Sequence, residues 1–191
     1  MSPLRYGTSM IIGDSSFTQS QKNEHRSLTA RELDALQAQR ELVGDVLRER
    51  YDVYALPALR TDLAALQQIV DDDVFGSEQE YEWSCVGVVF GDVLAAELGL
   101  EWFAFSSAPG TEPALCTADF ATTLFPRAML VRRADDDVPI QLSTLLDQLA
   151  GGIDAMQERQ ARRLGKNLVS HTRSDTLSLE PLPEKERFYG R

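Results

Sequence analysis

Cysteine, histidine and long hydrophobic runs are all scarce in this sequence. Its 191 residues include two cysteines and two histidines, too few for a disulfide framework or a paired zinc motif. The run Met10-Ile11-Ile12 is far too short for a signal peptide or a membrane span. We therefore expect a cytoplasmic protein with no metal, no cofactor and no membrane partner.

Positive charge is missing from the middle of the chain. No lysine or arginine occurs from Thr61 to Pro126, a window of 66 residues that carries twelve acidic residues. The whole chain has a net charge of -11. Because phosphate contacts need lysine or arginine, this window argues against a nucleic-acid partner. An acidic surface suits a basic protein partner or serves solubility alone, and the sequence leaves both alternatives open.

Eight carboxylates in this window are the predicted partner-binding residues: Asp71, Asp72, Asp73, Glu78, Glu80, Glu82, Glu112 and Asp119. The first three stand at the predicted end of a helix, where negative charge opposes the helix dipole. Solvent, a cation or a partner's positive charge must compensate them. The run Asp-Asp-Asp-Val-Phe-Gly lacks the alternating oxygen ligands of a calcium loop, so we predict no metal site there.

Two helices are predicted before the acidic cluster. Thr29 and Glu32 fit a capping box, and apolar residues recur at helical spacing from there to about Arg50. Pro57 is expected in the first turn of the second helix, where its missing amide costs nothing. Leu59 to Val70 supply the apolar stripe of that helix.

A buried central helix is predicted from Tyr81 to Leu98 because this segment is apolar on nearly every side. Ser77 to Glu80 fits a second capping box. Gly87 and Gly91 lie four residues apart, which predicts close approach of another backbone at that face. We expect Gly99 to end the helix as its C′ glycine.

Asp92 is the one acidic residue inside the apolar part of this helix. It lies on the helix's narrow polar edge or is buried with a partner, because an unpaired buried carboxylate is costly. Three arginines are candidate partners: Arg127, Arg132 and Arg133.

Extended segments follow the central helix. We predict a strand from Glu101 to Ser106, a turn from Ser107 to Pro113 and a return strand from Ala114 to Thr117. A third strand is predicted from Ala128 to Arg132, with Pro126 near its start. Trp102, Pro126 and the three glycines named above are assigned structural roles.

A last helix begins at Leu142 and is expected to be interrupted or kinked at Gly151-Gly152. The predicted fold class is therefore α+β: a helical N-terminal half, a central apolar helix, an antiparallel sheet of about three strands and a C-terminal helix. A single domain is expected over residues 28–164, with flexible ends at 1–27 and 165–191. Residues 4–12 are an alternative edge strand within the first of these ends.

No catalytic residue is predicted, and the chain is expected not to be an enzyme. His25 and His171 both lie in the predicted flexible ends, whereas Cys85 and Cys116 fit small core residues. A hydrolase built on paired carboxylates is the weakest alternative, because it requires a desolvated carboxyl in a pocket.

Five short segments, in this order, resemble a bacterial family catalogued as domain of unknown function 3806: Cys85–Asp92, Leu98–Trp102, Pro113–Leu115, Leu124–Leu130 and Leu142–Leu149. The resemblance covers residues 78–156. Where that family usually has an acidic, glycine-containing turn after the tryptophan strand, this chain has Ser106–Gly110. The family brings no established activity, so the resemblance implies a fold rather than a function.

The size and charge of this chain are similar to those of immunity proteins of bacterial type VI or contact-dependent toxin systems. This comparison is an analogy at the level of the fold. We therefore expect an acidic protein-binding module that occludes a basic partner, with a toxin such as a nuclease as the example. The alternative is a homodimeric housekeeping or adaptor protein without catalysis.

Overall fold

Five helices and a four-stranded antiparallel sheet make up the computed structural model, which describes residues 24–107, 110–136 and 138–172. The helices are α1 (Ala30–Tyr51), α2 (Asp62–Asp71), α3 (Glu80–Leu98), α4 (Pro126–Asp135) and α5 (Leu142–Thr172). The strands are β1 (Glu24–Arg26), β2 (Glu101–Ser107), β3 (Gly110–Cys116) and β4 (Thr123–Leu124). The predicted α+β class is confirmed, with four strands in place of about three.

Helix α3 forms the centre of the core. Every residue from Trp83 to Gly91 is buried, as the apolar composition of this segment predicts. Apolar residues of α1 and α2 complete this part of the core: Leu36, Val43, Leu47, Leu63, Leu66 and Ile69. Gly99 ends α3 with φ 64°, in the left-handed region that glycine adopts without strain.

Two glycines let other elements approach α3 closely. A β-carbon on Gly87 would lie 2.6 Å from Cα of Arg127 and 2.9 Å from the carbonyl oxygen of Pro126. A β-carbon on Gly91 would collide with the indole ring of Trp102. The backbone that crosses at Gly87 therefore belongs to the first turn of α4.

The predicted third strand over Ala128–Arg132 is wrong, because these residues lie within α4. Pro126 occupies the first turn of this helix, where its fixed φ and missing amide favour a helix start rather than a strand start. Leu130 is fully buried. The short apolar run is compatible with either element, and packing against the glycine face of α3 selects the helix.

The sheet has the order β1-β2-β3-β4, with every neighbouring pair antiparallel. The β2–β3 hairpin forms as predicted, but both strands extend into the predicted turn: β2 continues to Ser107 and β3 begins at Gly110. Strand β1 lies inside the segment 1–27 that was predicted to be a flexible arm. Residues 1–23, with the alternative edge strand 4–12, lie outside the described residues.

Helix α2 begins later than predicted. Its first residue is Asp62, whose buried carboxylate accepts the amide of Leu59 at 3.0 Å. This contact forms a turn before the helix, so Pro57 is not in the first helical turn and Leu59 is 51% exposed rather than part of the buried stripe.

The second predicted capping box, Ser77–Glu80, does not form. The residue that precedes α3 is Gln79, and no side chain caps the first turn of this helix. The Oε1 atom of Gln79 instead accepts the amide of Gly76 at 2.8 Å, so this side chain closes the loop before the helix.

Helix α5 runs continuously from Leu142 to Thr172, so it is not interrupted at Gly151-Gly152, and of the two predicted forms only the kink stays a prediction. The helix also extends past residue 165, where the flexible tail was expected to begin. The chain divides into two compact units, and the boundary lies between Ala150 and Gly151. Within the first, Gln67 donates to the carbonyl of Ile140 and accepts the amide of Leu142, at 2.9 Å each.

The predicted capping box at the start of α1 is present and includes a third residue. The Glu32 carboxylate accepts the Thr29 amide at 2.8 Å and two guanidinium bonds from Arg26 at 2.7 and 2.8 Å. These bonds, led by those from Arg26, hold the pKa of Glu32 at about 2. Arg26 thereby connects β1 to the start of α1.

We expect the Glu32 carboxyl to titrate with a midpoint near 2, and Arg26→Gln to raise that midpoint toward the usual value of about 4.3. Because the pKa is lower in the folded state, the stabilisation is present above the unfolded pKa and is lost as the pH falls toward 2. Carbon-13 NMR of the side-chain carboxyl measures both midpoints. A wild-type midpoint near 4 would contradict the prediction.

Candidate functional site: an acidic corner and an aromatic face

Six of the eight predicted partner-binding carboxylates lie at the junction of α2 and α3. We call this set the acidic corner: Asp71, Asp72, Asp73, Glu78, Glu80 and Glu82. Five of the six residues are exposed, and Glu82 is partly exposed. Glu80 and Glu82 stand in the first turn of α3, where the partial positive charge of the helix N-terminus favours them.

The acidic corner bonds to neutral groups. Gln67 donates to Asp71 Oδ1 at 2.8 Å, and the Tyr51 hydroxyl donates to Asp72 Oδ2 at 2.7 Å. Partial burial and this carboxylate raise the pKa of Tyr51. The five ion pairs found in the described part of the chain use none of the six corner carboxylates. No cationic side chain in that part of the chain therefore forms an ion pair with these six carboxylates.

Tyr81 is an exposed aromatic residue within the acidic corner. It stands between Glu80 and Glu82, and 55% of its surface is exposed. Cys85, one turn along α3, and partial burial raise the pKa of the Tyr81 phenol. An exposed tyrosine can contribute apolar contact area and a hydroxyl donor to a protein interface.

A polar cluster links three helices next to this tyrosine. Ser84 Oγ of α3 accepts Arg127 Nε of α4 at 2.7 Å and Gln39 Nε2 of α1 at 3.5 Å. Gln39 and Ser84 are both buried. These contacts orient the N-terminal half of α3 against its neighbours and so hold the acidic corner in place.

The two cysteines are fully buried, in agreement with a place in the core. Burial raises the pKa of both thiols, which keeps them protonated and weakly nucleophilic. Near Cys116, the Thr123 hydroxyl lies 3.7 Å from Sγ and 3.3 Å from Nε2 of His25. Threonine thus stands between this thiol and the imidazole. The side chain of His171 lies outside the described residues.

The remaining two predicted carboxylates lie outside the corner, one on a strand and one in a loop of the sheet. Glu112 is an exposed residue of β3, opposite Phe105 of β2. Asp119, in the loop between β3 and β4, accepts the Thr117 hydroxyl at 2.7 Å and the Ala121 amide at 3.1 Å. These two bonds lower the pKa of Asp119. The eight predicted residues therefore form two separate groups.

One face of the sheet carries five aromatic rings, which we call the aromatic face: His25, Phe103, Phe105, Phe120 and Phe125. Alternation along β2 puts Phe103 and Phe105 on the same side, and His25 of β1 pairs directly with Phe105. Phe120 is 42% exposed, and the other four are partly exposed.

The sequence did not reveal this aromatic face. The alternation of Phe103 and Phe105 was its only local signal. His25 was assigned to a flexible arm, and Phe120 and Phe125 stand outside regular strands. Only strand pairing and the course of the β3–β4 loop bring these rings together.

The predicted partners of Asp92 are wrong. Arg40 of α1 donates to both carboxylate oxygens, from Nε to Oδ2 at 2.7 Å and from Nη2 to Oδ1 at 2.8 Å. Trp102 Nε1 donates to Oδ1 at 2.9 Å. The three predicted arginines lie on α4, where Arg127 binds Ser84 and Arg133 binds the carbonyl of Met129.

An open groove of about 170 Å³ lies beside this ion pair, and its lining includes Arg40, Asp92, Gly44 and Tyr54.

Among the residues that the structure describes, no group of three or more histidine, cysteine, aspartate or glutamate side chains could hold a metal ion. No helix in that part of the chain is both long and apolar enough to cross a membrane.

The domain of unknown function DUF3806 matches residues 62–145. This match confirms the resemblance predicted from the sequence, although it begins earlier, at α2, and ends earlier, within α5. No curated protein matches this sequence.

A crystal structure from Bacteroides thetaiotaomicron VPI-5482, at 1.50 Å resolution, is similar in fold, with a TM-score of 0.62 and 17% sequence identity. The similarity covers 69% of this chain and 48% of that one, so this chain matches about half the length of that protein. At this level of identity the likeness shows the fold alone.

Proposed function

We propose that this protein is a binding module that occludes a basic protein partner through the acidic corner. The observation that carries this proposal is the lack of ion pairs to the corner carboxylates within the described residues. Five arginines in that part of the chain pair with other acids: Arg26, Arg40, Arg48, Arg60 and Arg162. A basic partner would therefore gain charge contacts at the corner without breaking any of these pairs.

Charge complementarity of this kind mainly raises the association rate and discriminates between partners. Affinity requires desolvated anchors as well, and aromatic residues are common among them. Tyr81 can provide such an anchor, because it is exposed and lies between two carboxylates. Binding rather than catalysis also agrees with two buried cysteines whose pKa values are raised.

The specific form of the proposal is an immunity protein. The partner would be a basic bacterial toxin of a type VI or contact-dependent system, for example a nuclease, and the corner would cover its active surface. The net charge of -11 supports this form. A homodimeric adaptor is the second candidate, favoured by Leu33 on α1, which is 50% exposed.

Charge reversal at the corner tests the proposal. The variant Asp71→Lys, Asp73→Lys and Glu80→Lys is expected to bind the native basic partner with an association rate at least about 10-fold lower, because steering by opposite charge is lost. The partner is first captured with the wild-type chain from the native bacterial lysate, together with co-expressed neighbouring gene products. Surface plasmon resonance at low and moderate salt then measures the rate for each variant.

A matched control reverses three exposed acids elsewhere: Asp34, Glu49 and Asp154. It changes the net charge equally, so its rate is expected to stay nearer that of the wild type. Equal rates for the two variants would attribute the effect to net charge and contradict a role for the corner. A stable homodimer in sedimentation, with no partner captured at either salt concentration, would favour the adaptor instead.

A further inference from the structure

We infer that the aromatic face is a second contact surface for the basic partner, and that it binds arginine side chains. This inference rests on the proposed function, from which it takes the premise that the partner is basic. The new elements are a second interface, on the sheet, and the residue type that this interface recognises.

The five rings form one continuous surface. Phe120 lies 4.9 Å from Phe103 and 4.7 Å from His25, measured between ring centroids. His25 lies 5.1 Å from Phe105, which lies 5.2 Å from Phe125. Four of these residues are partly exposed and Phe120 is 42% exposed, so the surface is accessible rather than part of the core.

Phe120 is held over the sheet by its loop at a conformational cost. Its φ of 55° lies in the left-handed region, which is unfavourable for a bulky aromatic residue. The Phe120 amide donates to the carbonyl of Thr117 at 2.8 Å, and the Thr122 amide donates to the Thr117 hydroxyl at 3.1 Å. Strained backbone of this kind is concentrated at binding sites. The ring remains exposed, so burial alone does not explain its placement.

Negative charge surrounds the rings. Glu101 and Glu112 lie on the side of the sheet that bears Phe103 and Phe105. Glu101 is two residues before Phe103 on β2 and so points to the same side, and Glu112 lies directly opposite Phe105. Asp119 stands next to Phe120, and all three carboxylates are exposed. An apolar partner would desolvate these acids without compensation. A cationic partner would instead pair with them.

The described strands contain one arginine and no lysine, and this arginine lies on the opposite side of the sheet. Arg26 pairs with Ala104 in the β1–β2 register and binds Glu32. On this side, the described strands and the β3–β4 loop thus place carboxylates, and no arginine or lysine, beside the rings. Arginine fits this face better than lysine, because its planar, weakly hydrated guanidinium stacks on aromatic rings and also binds carboxylates.

The test uses the full chain and three synthetic peptides, in which glycine alternates with arginine, lysine or glutamate. We expect the arginine peptide to shift the NMR signals of His25, Phe103 and Phe120, and the lysine peptide to bind several-fold more weakly. Phe120→Leu keeps the apolar bulk but removes the aromatic ring. It is expected to weaken binding of the arginine peptide about 3- to 10-fold, with an otherwise unchanged amide spectrum that shows the fold is intact.

The outcomes separate this inference from the proposed function. Arginine-peptide shifts confined to the acidic corner, with equal affinity for Phe120→Leu, would overturn the inference and leave the proposed function standing. Equal binding of the arginine and glutamate peptides would also overturn it. Contacts from residues 1–23 to Phe120 in the free chain, or shifts on dilution alone, would identify the chain itself or a second copy as the occupant and overturn it too. Shifts at the aromatic face, together with native-partner binding unaffected by corner reversal, would support the face and contradict the corner.

Discussion

Replacing Gly87 with alanine is expected to lower the free energy of unfolding by about 3 kcal/mol, the upper end of the usual cost of overpacking. The added β-carbon would lie 2.6 Å from Cα of Arg127 and 2.9 Å from the carbonyl oxygen of Pro126. Both are backbone atoms at the start of α4, so they cannot move away as a flexible side chain could. Relief of the clash requires α4 to shift away from α3. Urea denaturation of the two proteins measures the difference.

Gly44 provides the matched control for this substitution. It also lies inside a helix, but a β-carbon there would meet no atom within 4 Å. Gly44→Ala is therefore expected to raise the free energy of unfolding by up to about 1 kcal/mol, because alanine has the higher helix propensity. A similar change in stability for both variants would show that α4 does not approach α3 at Gly87 as closely as the structure indicates.

Replacing Asp92 with alanine is expected to cost about 2 kcal/mol, somewhat less than the loss of one partner from a fully buried ion pair. The Arg40 side chain is 30% exposed and that of Asp92 is 18% exposed, so solvent compensates part of the loss. The variant leaves the Arg40 guanidinium and the Trp102 indole without their acceptor. Loss of less than about 0.5 kcal/mol would show that water replaces the carboxylate easily.

A double-mutant cycle measures how much of this cost comes from the interaction between Arg40 and Asp92. Arg40→Met keeps much of the apolar stem and removes the charge, and the double variant with Asp92→Ala removes both charges. We expect the double variant to be more stable than the sum of the single effects predicts, with a coupling energy of about 1 to 2 kcal/mol. Trp102→Phe, which removes one hydrogen bond to Asp92, is expected to cost about 1 kcal/mol from that bond.

This ion pair also has a consequence for the proposed binding surface. Trp102 is held against α3 by Asp92 and Gly91. Because successive side chains of a strand point to opposite sides, fixing Trp102 toward the helix directs Phe103 and Phe105 to the other side of the sheet. The contacts inside the core therefore determine which side of the sheet becomes the aromatic face.

Local sequence patterns determined the elements whose residues lie close together along the chain. Thr29 and Glu32 identified the start of α1, and the apolar run from Trp83 to Leu94 identified the central helix. Turn residues identified the β2–β3 hairpin. The stretch without lysine or arginine indicated the position of the acidic corner. The six carboxylates of the corner occur within twelve consecutive positions, 71 to 82. Capping, helical periodicity and turn formation are short-range effects, so a sequence displays them directly.

Only the tertiary structure decided the features that depend on distant residues. Residues 126–135 form a helix because they pack on the glycine face of α3, although their composition also fits a strand. Asp92 binds Arg40 rather than an arginine of α4 because α1 lies beside α3 at that point. The aromatic face exists because β1 pairs with β2, far along the chain. Each outcome depends on which elements are neighbours in space, and packing decides this among candidates that the local pattern leaves equivalent.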